Sequence, residues 1–106
     1  AMDEDADSPL HLAAMNGHAG TVKLLLDKKA DVTAITYSRD SPLHAAAESG
    51  CKVTVRHLLE YKADIKATNR SGGSPLHAAA MKGHEDAVRL LLENDADITA
   101  RENDNK

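Results

Sequence analysis

Apolar positions recur along this chain in short bursts with a helical spacing. Val22, Leu25 and Leu26 stand at i, i+3 and i+4, which sets them on one face of a helix. Val55, Leu58 and Leu59 repeat the pattern, and Val88, Leu91 and Leu92 repeat it again. Ahead of each burst lies a run of small residues around Ala13-Ala14, Ala46-Ala47 and Ala79-Ala80. A serine followed by a proline precedes each run, at Ser8-Pro9, Ser41-Pro42 and Ser74-Pro75. The serine hydroxyl can cap free N–H groups of a helix start, and proline suits the first helical turn. Gly17, Gly50 and Gly83 follow the small runs, and glycine tolerates the left-handed backbone that often ends a helix. The pattern predicts two short helices per burst pair, followed by Ala-Asp and a polar stretch that turns back as a hairpin-like loop.

These signals hold one register. Ser-Pro-Leu-His begins at positions 8, 41 and 74, a step of 33 residues each time. The chain divides into a leader at 1–7 and units at 8–40, 41–73 and 74–106, together forming a single domain. One unit cannot bury its apolar side alone, so stability must come largely from stacking between neighbours. The expected class is all-α, with three stacked helix–turn–helix units.

The repeated Ser-Pro-Leu-His-x-Ala-Ala, Gly-His, Val-x-x-Leu-Leu and Ala-Asp positions resemble the ankyrin repeat. The resemblance implies a solenoid with hairpin loops projecting to one side. The chain departs from the family pattern at several points. Lys29, Lys62 and Asp95 stand where a glycine precedes Ala-Asp in the family, and Ala6 and Arg39 stand at two loop positions where only Gly72 is kept. A non-glycine residue in a left-handed conformation costs about 1 kcal/mol. Thr33, Lys66 and Thr99 replace the hairpin asparagine, which removes the family's hydroxylation target. The second unit has Gly50-Cys51 in place of Gly-His, and His57 where the others carry Leu24 and Leu90. The first and last units keep the same apolar pattern as the middle one, so they are not polar caps. The chain is therefore expected to be part of a longer array, with an engineered binder or folding model as the alternative, and its end faces are expected to pair between molecules.

Composition narrows the function. The 106 residues are 42% hydrophobic, yet contain no Trp or Phe and only Tyr37 and Tyr61 as aromatics. A net charge of −4 and scarce aromatics argue against a nucleic-acid partner. No apolar run approaches the length of a membrane span. Cys51 stands alone, which excludes an internal disulfide and suits a cytoplasmic or nuclear setting. It lies near a helix start, where a thiol pKa falls, but reads as a tolerated turn substitution. Asn69-Arg70-Ser71 matches a glycosylation sequon that would go unused there.

Three Ser-His pairs, Ser8 with His11, Ser41 with His44 and Ser74 with His77, fit a hydrogen-bonding ladder better than an active site. An enzyme needs one activated nucleophile with its own orienting group and oxyanion site. The ladder histidines should lie about one helix diameter, roughly 10 Å, apart. They cannot converge on one zinc, whose donors sit at about 2.0–2.1 Å. No catalytic site, metal or cofactor is expected.

A protein partner is expected instead. In the resembled family, partners dock on the concave side formed by loop tips and the exposed face of each first helix. The corresponding positions here vary between units: Asp7, Met15 and Asn16 in the first, Ile35, Tyr37, Arg39, Asp40 and Glu48 in the second, Arg70, Met81 and Lys82 in the third, and Arg101 in the last loop. Glu4 and Asp5 extend the first group, and the face reads as acidic at its start and basic near Arg70, Lys82 and Arg101. Tyr37, Ile35, Met15 and Met81 are candidate anchors.

Overall fold

A computed structural model describes residues 6–99. Among these residues there are six helices and no strand: α1 (Pro9–Met15), α2 (Ala19–Asp27), α3 (Pro42–Ser49), α4 (Lys52–Glu60), α5 (Pro75–Met81) and α6 (Glu85–Glu93). The odd helices pack in one row and the even helices in a second row behind it. Leader residues 1–5 and the end of the last unit, including Glu4, Asp5 and Arg101, lie outside the described residues.

Each first helix starts as the Ser-Pro signal predicts. Ser8, Ser41 and Ser74 accept from the backbone N–H three residues on, and the histidine at that position accepts from the serine N–H. This is a capping box with histidine in the place glutamate usually takes. The helices end on left-handed residues. Gly17 and Gly83 have φ of 71° and 72°, and Gly50 has φ of 80°. At Gly50 a second constraint acts: an added Cβ would lie 2.5 Å from the His84 ring.

The second helices end the same way without glycine. Lys29, Lys62 and Asp95 adopt φ of 72°, 72° and 73°. In each case the left-handed residue donates to the carbonyl three back, as in Lys29 N–H to Leu26 at 2.9 Å. The next residue donates five back, as in Ala30 N–H to Leu25 at 3.0 Å. Two bonds of this kind define a Schellman motif, and its geometry demands the left-handed residue whatever the side chain. Ala6 and Arg39 are also left-handed, both at φ 66°.

The loops after α2 and α4 close as tight turns rather than as β-ladders. Thr36 N–H donates to the Asp40 carbonyl at 3.1 Å, and Asn69 N–H donates to Gly73 at 2.9 Å. Asp31, Asp64 and Asp97 start these segments by accepting from the backbone N–H two residues on.

The core runs between layers. Ala14, Val22, Leu43, Ala46, Ala47, Val55, Leu58, Ala79 and Leu91 have no exposed surface. Alanines at the contacts between α1, α3 and α5 let the first helices approach closely, while valine and leucine fill the space to the second helices. The outermost equivalents are left uncovered: Leu24 is 59% exposed on the first unit and Ile98 74% exposed on the third.

Candidate functional site

The Ser-His pairs lie beneath the loop face and hold it in place. His11 Nδ1 accepts from the Ser8 backbone N–H, so its proton resides on Nε2. That Nε2–H donates to the Asp40 carbonyl at 2.9 Å in the following loop. His44 does the same one unit on, accepting from Ser41 N–H and donating to the Gly73 carbonyl at 2.9 Å. Burial in this ladder lowers the His44 pKa, with the Gly73 carbonyl opposing the shift. Each serine hydroxyl sits 2.8–2.9 Å from a histidine Nδ1 while also accepting from a helix N–H. The hydroxyls are committed to capping, in three equivalent copies, which is structural work and not the geometry of an activated nucleophile.

Side-chain links between the loops stiffen the platform further. Asn69 Nδ2 donates to Asp40 Oδ1 at 2.9 Å, and Asn69 Oδ1 accepts from the Ser71 and Gly73 N–H groups. The sequon asparagine is thus a structural tie. Arg70 N–H donates to the Ser38 carbonyl at 2.9 Å, and Arg70 Nε donates to the Tyr37 carbonyl. These bonds fix the two loop tips to one another.

The residues expected on the docking face fall into three groups. Met15, Asn16, Ile35, Tyr37, Arg39, Glu48, Arg70, Met81 and Lys82 are exposed. Tyr37 and Met81 are the most open of the anchors, at 70% and 72%. Asp40 is half-buried, with its carbonyl and carboxylate both bonded. Asp7 departs from the expectation: it is buried, only 6% exposed. Of the residues that set the expected acidic-to-basic gradient, Glu4, Asp5 and Arg101 lie outside the described residues, and Arg70 is exposed. Asp7 is buried, and Lys82 stands 3.7 Å from the Glu48 carboxylate, both side chains more than half exposed.

A shallow groove of about 200 Å³ runs along this face between the Asn69–Gly73 turn and the ends of α3 and α5. Asp40, Glu48, Met81 and Lys82 border it, so four of the expected residues meet there. His44 and His77 form its floor. No group of three metal-binding side chains occurs among the described residues, and no helix among them is long and apolar enough to cross a membrane.

Several contacts were not anticipated from the sequence. His84 Nε2 donates to the Glu48 carbonyl at 2.8 Å, tying the third unit to the second. At the equivalent place in the second unit, Cys51 packs on Gly17 and has no imidazole to reach back. It stands at the N-cap position of α4 without a side-chain capping bond; burial works to raise its pKa, but the polar groups of Thr54 and Val53 at the helix start outweigh it and lower it. On the rear face the Tyr61 hydroxyl donates to Asp27, with Lys23 over the tyrosine ring and paired with Asp27. His57 is half-buried, and its Nδ1 has no hydrogen-bond partner and stands 3.7 Å from Glu60.

Comparison of the sequence with curated proteins finds no match. A family model describing ankyrin repeats in three copies matches residues 10–102. That span carries all six helices but the first residue of α1, and the capping ladder but Ser8, so the chain belongs to the ankyrin repeat family, whose members generally serve as protein–protein interaction modules.

Proposed function

We propose that this chain is a non-catalytic module that holds a partner protein on its loop-tip and first-helix face. The observation carrying this reading is the set of large apolar side chains displayed there without a packing role. Met15, Ile35, Tyr37 and Met81 are all exposed, while His11 and His44 beneath them are buried and bonded to the following loops. A rigid framework with adaptable apolar side chains on top fits recognition, because little loop entropy is lost on binding. Tyr37 is the central anchor, since buried aromatics dominate interface energetics. The alternative of an engineered repeat protein fits less well. Five non-glycine residues occupy left-handed positions, where designed turns place glycine.

The test is to identify a partner by pull-down and mass spectrometry, then to measure its dissociation constant. Tyr37→Ala should weaken binding by roughly 30-fold, the scale of a hot-spot residue, with an unchanged melting curve. The rear-face control Arg56→Ala should bind normally. Equal affinity for the Tyr37→Ala variant, with contact at this face proven, would remove Tyr37 as the anchor.

A further inference from the structure

We propose that the loop tips around Tyr37 take an acidic peptide segment of the partner, its carboxylates held by Arg39 and Arg70; the inference rests on the reading that partners dock on this face. Arg89 shows what an exposed guanidinium of this chain does when carboxylates are within reach: it pairs with Glu85 at 2.9 Å and with Asp86 at 3.5 Å. Arg39 and Arg70 are exposed too, yet among the described residues no carboxylate pairs with either. The acids of the adjoining groove are already engaged. Asp40 accepts from Asn69, and Glu48 stands 3.7 Å from Lys82.

The two arginines stand side by side. Arg70 N–H donates to the Ser38 carbonyl, which belongs to the peptide unit leading into Arg39. The Arg70 side chain is also aimed. Its Nε donates to the Tyr37 carbonyl, which leaves the two Nη groups for a partner. A carboxylate meets that end of the fork with two parallel N–H···O bonds, and such charge-assisted bonds are roughly twice as strong as neutral ones. Because Nε already holds the side chain, less freedom is lost when the carboxylate arrives. Tyr37, on the same tip and 70% exposed, offers its ring to apolar residues next to the acids.

Charge decides which kind of anion fits. The chain carries a net −4, and Asp40 and Glu48 border the groove beside the tips. A nucleic-acid strand would carry its phosphates past those acids and needs a longer basic track. A peptide carboxylate needs only the two guanidinium groups. Exposed charges more than about 8 Å away are largely screened at physiological salt, so the arginine pair outweighs the net charge at this spot.

The experiment is titration of the whole chain with a short peptide in which glutamate alternates with leucine, read by backbone amide NMR shifts. A second peptide carries glutamine in place of glutamate. Shifts should gather at residues 35–40 and 68–73. The glutamate peptide should bind about 10-fold more tightly than the glutamine peptide, and raising the salt should shrink that advantage. Arg70→Lys keeps the charge but not the fork and should remove most of the advantage. Arg39→Gln should also reduce it; this side chain makes no bond among the described residues, so the variant serves even if Arg70→Lys loosens the tip. Arg56→Gln removes the same charge from the rear face and should change nothing. Equal affinity for the two peptides at low salt, or an advantage untouched by both loop-tip variants, would overturn the proposal. So would a single-stranded DNA oligonucleotide that binds more tightly than the glutamate peptide. The position of the shifts separates this inference from the reading beneath it. If both peptides shift the loop tips equally, the acidic preference fails and the docking face stands; if both shift only residues elsewhere, both fail.

Discussion

The left-handed ends of α2, α4 and α6 allow a quantitative test of the backbone argument. Lys29, Lys62 and Asp95 are exposed and sit at φ of 72–73°, so replacing them with glycine removes no packing. A non-glycine residue in this region costs about 1–2 kcal/mol. Glycine gives back about 0.5–1 kcal/mol through the greater freedom of its unfolded chain. The net gain is then about 0.5–1 kcal/mol per site. The sites lie in separate layers and share no partner, so the gains should add, to about 2 kcal/mol for Lys29→Gly, Lys62→Gly and Asp95→Gly together. That corresponds to a rise in melting temperature of roughly 10 °C for a domain of this size. Urea denaturation should show a higher midpoint with an unchanged slope, because the exposed surface on unfolding is the same. Lys28→Gly supplies the control. Lys28 is the adjacent residue at φ −92°, where glycine gains nothing, and its replacement should destabilise by about 0.5–1 kcal/mol. If the triple variant is no more stable than the parent, or if Lys28→Gly stabilises equally, the left-handed backbone is not the source of the strain.

Three further outcomes test the ladder and the junctions. Because burial lowers the folded-state pKa of His44 below its ordinary 6.5, the unfolded chain takes up a proton first as pH falls. Stability should be full above pH 6.5 and decline as the pH drops below it; a urea midpoint that holds steady or rises between pH 7.5 and pH 5.5 would contradict this. His84→Ala should cost about 1 kcal/mol through loss of the bond to the Glu48 carbonyl, and an unchanged melting temperature would show that water replaces the imidazole without loss. His57→Leu, which installs the residue found at Leu24 and Leu90, should stabilise by about 1 kcal/mol by removing an unsatisfied buried nitrogen; thermal melts that show a loss instead would mean that the ring packs better than leucine.

Local signals carried most of the fold. Serine before proline, then histidine, states where each first helix begins, because capping depends only on residues three apart. The i, i+3, i+4 apolar spacing of Val22, Leu25 and Leu26 states which side of α2 turns inward. Repetition at 33 residues makes stacking of like units the simplest arrangement, while the left-handed backbone at Lys29, Lys62 and Asp95 was suggested only by the family's glycine at that place and is seen in the structure. The exposed anchors Tyr37, Ile35, Met15 and Met81 were legible for the same reason: they stand where the repeat places no core residue.

The polar ties between neighbouring layers were not legible. Sequence order put Asp7 at the acidic end and Lys82 at the basic end, yet one is buried and the other is paired with Glu48 from the neighbouring layer. The Lys82–Glu48 pair joins residues about one repeat apart, which only the stacking brings within reach. The same holds for Arg70 against the Tyr37 carbonyl, His84 against Glu48 and Tyr61 against Asp27. The sequence by itself determined the unit, its caps, its core and its period, since these follow from short-range backbone chemistry and helical spacing. Only the tertiary structure decided which polar groups remain open on the surface, because a charge is neutralised by whatever the next layer places beside it.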